Sequence, residues 1–569
     1  MRAARLTLAL AAAALSLWGL GWCLPARERL ERVLPEGGDT PALRAGLERA
    51  WAKLHERLGE DILLKPESWG YGFSREAVVD PGWTQVPEVL VSPARSFYLR
   101  GGHEDEPNIL NAVARLRPTL RGLNPRIYFY GGAYMYALAA WIAAGAALTP
   151  ARLVSGLGFY MEHPEQMAWL YYLGRTFSAA CYLAVGWLVF RTGRRLFGEP
   201  AGLAAAALWI APPGIVILSH AMKPHLMGMF LTLGAYALCA ETLRSGETRW
   251  GVWAGAAGGL AMAAVSHLGM ASLIVALTAA LRLAEGRPWR GEAAWVLKAA
   301  GLFVLAYLAA TPYLLLEPKT TLAAFGEIGK LSHASVGNLW VFAVSGLLRG
   351  LTLPVYGLLA AGLVWAAREK DPAARLALGT FFLMFLTETI LPHVVQMDSV
   401  RYFGALPLGL VLAGAAAARA GKAGLALAGA AALFAAAQSA VLDYNLALDR
   451  PGASTRDRAG EWIMANVPAG AEVALLRLPQ PSNSAAFRWN RYRLHVYEPP
   501  VFAALPASAP LPEWLVLVHP SYDDHAAAGG VLARYGAAAV FEPAGPRLLR
   551  CAVGDGYGNP LVEVYRRKT

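Results

Sequence analysis

Polar and apolar positions in this chain fall into long blocks, not into the short alternations of a soluble fold. Arg2 and Arg5 precede about 19 apolar residues, and a long polar stretch, 25–127, follows. Apolar runs then recur near 128–147, 171–190, 201–218, 226–243, 251–267, 268–284, 297–316, 351–367, 375–391, 402–418 and 422–441. A helix rises about 1.5 Å per residue, so about 20 apolar residues cross a hydrocarbon core about 30 Å thick. The pattern predicts a mainly α, polytopic transmembrane helix bundle. The first run is longer than the apolar region of a signal peptide and ends in no A-x-A-like site, so it reads as an uncleaved first helix.

The spacers orient the bundle. RTGRR (191–195), RSGETR (244–249), LRLAEGRPWRGE (281–292), REKDPAAR (368–375) and ARAGK (418–422) are basic, and basic loops stay on the cytoplasmic side. If the first helix runs outward, only one crossing fits between residue 25 and RTGRR. The 171–190 run ends in RTGRR and takes that crossing. The 128–147 run opens on aromatics and glycines and reads as an interfacial or re-entrant helix. About eleven spans result. Loop 25–170, the SHAMKPH turn (219–225), the Ser266-His267 turn, loop 317–350, the turn 391–401 and residues 442–569 then lie outside the cytoplasmic (inner) membrane. Residues 1–441 are expected to form the membrane domain. Residues 442–569 alternate helix-like (455–470) and strand-like (AEVALL, WLVLVHP, LVEVYRR) stretches, with a further helix at HAAAGGVLARYG. They predict a small extracytoplasmic α/β C-terminal domain.

Composition agrees with a membrane protein. Of 569 residues 56% are hydrophobic and only 16% charged, with mean hydropathy +0.37. The formal charge of +11 would suggest nucleic acid in a soluble protein. Here the arginines flank apolar runs and read as topology signals, so no nucleic-acid partner is expected. Cys23, Cys181, Cys239 and Cys551 show no metal spacing and imply no disulfide framework. Few charges fall in mid-span, which weighs against a transporter.

One polar cluster stands out against this background. GGHEDEPNIL (101–110) sets His103, Glu104, Asp105 and Glu106 in a row after two glycines and before a helix-like segment. A solvated turn is the ordinary reading of such a run. At a membrane surface, however, a carboxylate can act as a general base towards a hydroxyl. It could also hold a divalent cation, and the metal, if any, is unknown from sequence. A phosphate leaving group would need cations opposite. Lys223 and Arg401 lie in outer turns, with Lys319 and Lys330 as further candidates and Arg175 at the outer end of the second span. His220, His267, His333 and His393 sit at outer helix ends, where packing is the ordinary explanation. Tyr128, Tyr130 and Tyr134 read first as a membrane belt and second as a sugar platform. Arg401-Tyr402 reads equally as an anchor pair or a phosphate contact. Glu388 is an intramembrane carboxylate, either functional or paired with a neighbouring helix.

These motifs resemble the GT-C superfamily of polytopic glycosyltransferases, in its family 39-like branch of protein mannosyltransferases and aminoarabinose transferases. The resemblance lies in HEDE with NPRIYFYGGAYMY downstream, GRTFSA, RRLFGEPAGLAAAAL, SHAMKPH, TPYLLLEP and RYFGALPLGLVLAG, over roughly residues 1–470. It implies an inverting glycosyltransferase that moves a sugar from a polyprenyl-phosphate donor to a protein, lipid or glycan acceptor outside the membrane. The family's acidic pair falls on Asp105 and Glu106, with Asp105 as base. The remaining contacts would come from His103, Arg175, Lys223, His225, Arg401 and Tyr402. Where the family often has an acidic residue in the second outer loop, this chain has His225, which puts a second acidic or metal role in question. A non-catalytic membrane assembly protein with the same fold, and a lipid or solute transporter, are the alternatives.

Overall fold

The computed structural model describes residues 2–58, 76–128, 130–330, 337–390, 400–519, 528–550 and 558–568. His333 and His393 fall outside these residues, as do the side chains of Lys330 and Tyr402. Among the described residues five helices are long and apolar enough to cross a membrane: Pro164–Phe197, His225–Ser245, Ser266–Ala284, Trp289–Ala310 and Gly421–Leu448. Two bent pairs raise the number to seven if each pair is one span. Of the other expected runs, 375–391 lies in the helix Pro372–Ile390, and shorter helices include Arg2–Leu17, Thr248–Ala264, Leu353–Arg368 and Leu406–Arg419.

Two runs depart from straight helices for local reasons. The 201–218 run splits into Glu199–Ile210 and Pro213–Ser219, bent by 71°. Pro212 and Pro213 lack the N–H donors a continuous helix needs there. The second of the two runs between 251 and 284 opens as a 3-10 segment, Ser266–Ser272, before the α-helix Leu273–Ala284. The 128–147 run forms the helix Gly132–Leu148.

Beyond the bundle lies one six-stranded sheet: β1 (Glu76–Val79), β2 (Glu472–Leu475), β3 (Arg493–Tyr497), β4 (Trp514–His519), β5 (Tyr535–Phe541) and β6 (Leu561–Arg567), in the order β1-β3-β2-β4-β6-β5. β2 is parallel to β3 and β4, and the other pairings are antiparallel. The segment expected as a helix near 525–536 contains instead a 3-10 turn, Gly529–Arg534, that runs into β5. The helix Thr455–Asn466 is capped by Ser454, whose Oγ accepts the Asp457 N–H at 3.1 Å.

β1 comes from the first loop and β2–β6 from the C-terminal region, yet Glu76–Val79 pair in register with Tyr497–Leu494. A hydrogen-bonded sheet cannot straddle a bilayer, so both regions lie on the same side and an even number of crossings separates them. A second tie is buried. Asp449, at the end of the Gly421–Leu448 helix, binds Arg456 and, at 3.3 Å, Arg29 from the first loop. Its carbonyl accepts the Cys23 N–H at 2.8 Å. The first loop is thus held against the C-terminal sheet at two places.

Candidate functional site

The buried helix Glu88–Leu99 leads into Gly101-Gly102. A Cβ on Gly102 would lie 2.1 Å from the Trp22 ring, so only glycine lets the chain pass there. The turn sets Asp105 at the start of the helix Glu106–Arg115. His103 is buried, and its Nδ1 accepts the Asp105 backbone N–H at 3.1 Å. The three carboxylates then part company. Glu104 is exposed, Glu106 is fully buried, and Asp105 keeps 38% of its side chain exposed.

Asp105 faces cations from distant segments. The SHAMKPH turn follows the Pro213–Ser219 helix and brings Lys223 Nζ to 2.8 Å from Asp105 Oδ2. Lys223 itself is 2% exposed. The same Oδ2 accepts the Tyr130 hydroxyl at 2.9 Å. Oδ1 accepts no hydrogen bond among the described residues. Burial raises the Asp105 pKa, but Lys223, His103 and Arg401 together outweigh it and hold the carboxyl below its usual range. Arg401 is buried in the turn Val400–Tyr402.

Tyr130 reaches Asp105 because the strap behind it is fixed. Gly131 N–H donates to the Ala264 carbonyl at 3.0 Å, and a Cβ on Gly131 would lie 1.9 Å from the Ala263 oxygen. Asn124 Nδ2 donates to Tyr128 at 3.1 Å and to Glu317 at 3.0 Å, pinning the strap to the loop after Trp289–Ala310. The Tyr130 ring meets His225 edge-on at 6.0 Å, and His225 lies 6.1 Å from His267. The described residues thus gather His103, Asp105, Tyr130, Lys223, His225 and His267, with Arg401 near enough to act on Asp105.

Glu106 and Arg175 are placed behind this cluster. The Arg175 guanidinium donates to both Glu106 oxygens, at 2.8 and 2.7 Å, and to the carbonyls of Leu20 and Trp22 at 2.8 and 2.7 Å. It also lies over the Trp22 ring at 4.7 Å. Glu106 Oε1 accepts the Met222 N–H at 3.0 Å, which fixes the turn that carries Lys223. Neither side chain reaches solvent.

Sequence reasoning did not single out Tyr130 or His267 as site residues. The Gly-Gly pair after Tyr130 was the available signal, because adjacent glycines mark close backbone approach. Nothing local distinguishes His267 from the other histidines at helix ends. Glu388 Oε2 accepts the Gly404 N–H at 3.1 Å, a link between neighbouring elements. Among the described residues no three His, Cys, Asp or Glu side chains are grouped to hold a metal ion.

Residues 172–317 match the family model described as dolichyl-phosphate-mannose-protein mannosyltransferase. The resemblance read from the motifs is met over this stretch. It takes in Arg175, Lys223, His225 and His267 and begins after the Asp105 turn. Over 81% of this chain and 93% of the other, the structure is similar to ArnT from Cupriavidus metallidurans bound to undecaprenyl phosphate, at 14% identity and TM-score 0.42. Over 66% and 58%, it is similar to the archaeal oligosaccharyltransferase AglB from Archaeoglobus fulgidus in complex with an inhibitory peptide and a dolichol-phosphate, at 14% identity and TM-score 0.36. No curated protein sequence matches the chain.

Proposed function

We propose that this protein is a membrane glycosyltransferase that moves a sugar from a polyprenyl-phosphate donor to an acceptor hydroxyl. The observation that carries this reading is the partly exposed Asp105 carboxylate set against the buried cation Lys223. The family match over 172–317 supports it. The basic spacers favour an inner-membrane protein with this site and the C-terminal sheet on the extracytoplasmic face.

In the proposed step, Asp105 accepts the proton of the acceptor hydroxyl. The acceptor oxygen attacks the anomeric carbon as the bond from that carbon to the phosphate oxygen breaks. Attack opposite the leaving group inverts the anomeric centre. The leaving polyprenyl phosphate keeps the bonding pair, and Lys223 and Arg401 balance its charge. Glu106 and Arg175 take a structural role here, because their hydrogen bonds end within the fold.

The test is transfer from polyprenyl-phosphate sugars by the full chain in proteoliposomes, with mass spectrometry of surface glycans in cells with and without the gene. Asp105→Asn should abolish transfer while the chain still folds, at a lower melting temperature because buried Lys223 loses its carboxylate. Full activity in that variant would remove Asp105 as the base.

A further inference from the structure

The C-terminal region does not stay clear of the span that leads into it. Segment 541–550 follows β5 and runs back along the helix Gly421–Leu448. Asn445 Nδ2 donates to the Ala544 carbonyl at 3.0 Å, and the Ala544 N–H donates to Asn445 Oδ1 at 2.8 Å. A Cβ on Gly545 would lie 2.7 Å from the Val441 side chain. Gln438 Nε2 then donates to the Leu548 carbonyl at 3.2 Å. The contacts step from 445 to 441 to 438, so the segment descends along the helix by about 10 Å.

Residues 423–442 of that helix carry no charge, between Lys422 and Asp443. They are about 30 Å long, the thickness of a hydrocarbon core. Gln438 lies inside Asp443, which puts the Leu548 turn about 7 Å below the end of the apolar stretch. A single exposed leucine is ordinary on a soluble surface, but at this level it meets lipid. Leu548 is 76% exposed, and the helix beside it also exposes Leu427, Leu433 and Tyr444. The charges of the segment suit a headgroup boundary. Glu542 accepts from Arg547 at 2.9 Å and from Arg550 at 2.7 Å, and the Glu542 carbonyl accepts from Arg458 at 3.3 Å. Three guanidiniums thus gather at one carboxylate, and the Arg547 side chain is 85% exposed. An arginine stem can lie along apolar surface while its head reaches a phosphate.

We propose that the turn 545–549 is a membrane anchor. Leu548 enters the acyl boundary of the leaflet on the sheet's side, and Arg547 contacts the phosphates of its phospholipids. The occupant is lipid and not a second copy of the chain, because the turn lies against a spanning helix whose neighbouring face is itself open to the bilayer. Transfer of an exposed leucine from water into acyl chains is favourable, and basic residues beside it add attraction to the headgroups. The anchor holds β5, and through the sheet β3 and β1, at a fixed height over the bilayer. It does so whatever the chain transfers.

The experiment reconstitutes the full wild-type chain in liposomes of phosphatidylcholine and phosphatidylglycerol that contain a phospholipid with a photoactivatable diazirine midway along one acyl chain. Adducts are mapped by mass spectrometry after irradiation. Leu433 is the internal reference, because it is 74% exposed in the middle of the same helix. Leu548 should carry adducts within about threefold of Leu433. Leu548→Glu should cut adducts in 545–549 at least about tenfold and leave Leu433 unchanged. Arg547→Gln should cut the Leu548 adducts by up to about fivefold. Fewer adducts on wild-type Leu548 than expected, with Leu433 labelled, would overturn the anchor, whether water or a second copy covers the turn. So would adducts that Leu548→Glu leaves unchanged. Adducts that Arg547→Gln leaves unchanged would overturn the phosphate contact. If Leu548→Glu fails to fold, the wild-type ratio of Leu548 to Leu433 decides the matter.

Discussion

Arg175 and Glu106 meet edge to edge, 2.8 and 2.7 Å apart, with neither side chain exposed. They come from helices 69 positions apart in the chain and join the Asp105 turn to the long helix Pro164–Phe197. Removing one partner of such a pair strands a buried charge and costs about 3–5 kcal/mol. Arg175→Met or Glu106→Gln should therefore lower the melting temperature and the yield of folded protein. Unfolding of the purified chain by temperature would show it, and a variant as stable as wild type would contradict the structural assignment.

Tyr130→Phe keeps the ring and deletes one hydrogen bond to a carboxylate. Such bonds contribute about 1.5–3 kcal/mol, so transfer should slow by about 10- to 100-fold and the melting temperature should fall modestly. Loss in kcat with an unchanged donor KM is the expected form, because the hydroxyl holds the base and not the donor.

Gly131→Ala tests the strap that delivers Tyr130. The new Cβ would lie 1.9 Å from the Ala263 oxygen, a backbone atom that cannot swing aside. Overpacking of this kind costs about 1–3 kcal/mol. Both the melting temperature and the transfer rate should fall.

The pH dependence follows from the sign of the Asp105 shift. Burial raises its pKa, and Lys223, His103 and Arg401 lower it further than burial raises it. A folded-state pKa below the unfolded value near 3.9 gives stability that is present above about pH 4 and lost as pH falls through the folded value. Lys223→Met removes the first-ranked of the charges that oppose burial, so its Asp105 pKa should rise. The melting-temperature gap between wild type and Lys223→Met should then be widest at neutral pH and narrow as pH falls through the raised Asp105 pKa of the variant. A constant gap would mean that Lys223 does not govern the carboxyl.

Asp449 offers a different handle. It is fully buried between Arg29 and Arg456. Asp449→Ala leaves both guanidiniums without their carboxylate and should cost several kcal/mol. Limited proteolysis should then cut the first loop faster than in wild type.

The apolar blocks foretold a mainly helical chain with several long apolar helices, because hydrophobic length is a property of contiguous residues. They missed the bend at Pro212-Pro213, although the two prolines were visible within the run. The strand β1 was not legible, since EAVV is short and its partner lies at the far end of the chain. The motifs singled out Asp105, Lys223 and Arg401, but not the contact of Lys223 with Asp105. Glu106 and Arg175 looked like site residues because charge is visible in a sequence and its partner is not. Tyr130 was hidden among the belt-like aromatics for the same reason, as only the fold shows which hydroxyl reaches Asp105.

The pairing of β1 with β3 also sets an order of manufacture. Residue 79 leaves the ribosome long before residue 497, and synthesis at about 5–20 residues per second separates them by roughly 20–80 s. Through that interval the loop bearing Asp105 has no β3 edge, and for most of it no Asp449, to close against. The earliest part of the site to be made is thus among the last to be completed, and a chain truncated before β3 would carry every site residue yet lack the frame that steadies its first loop.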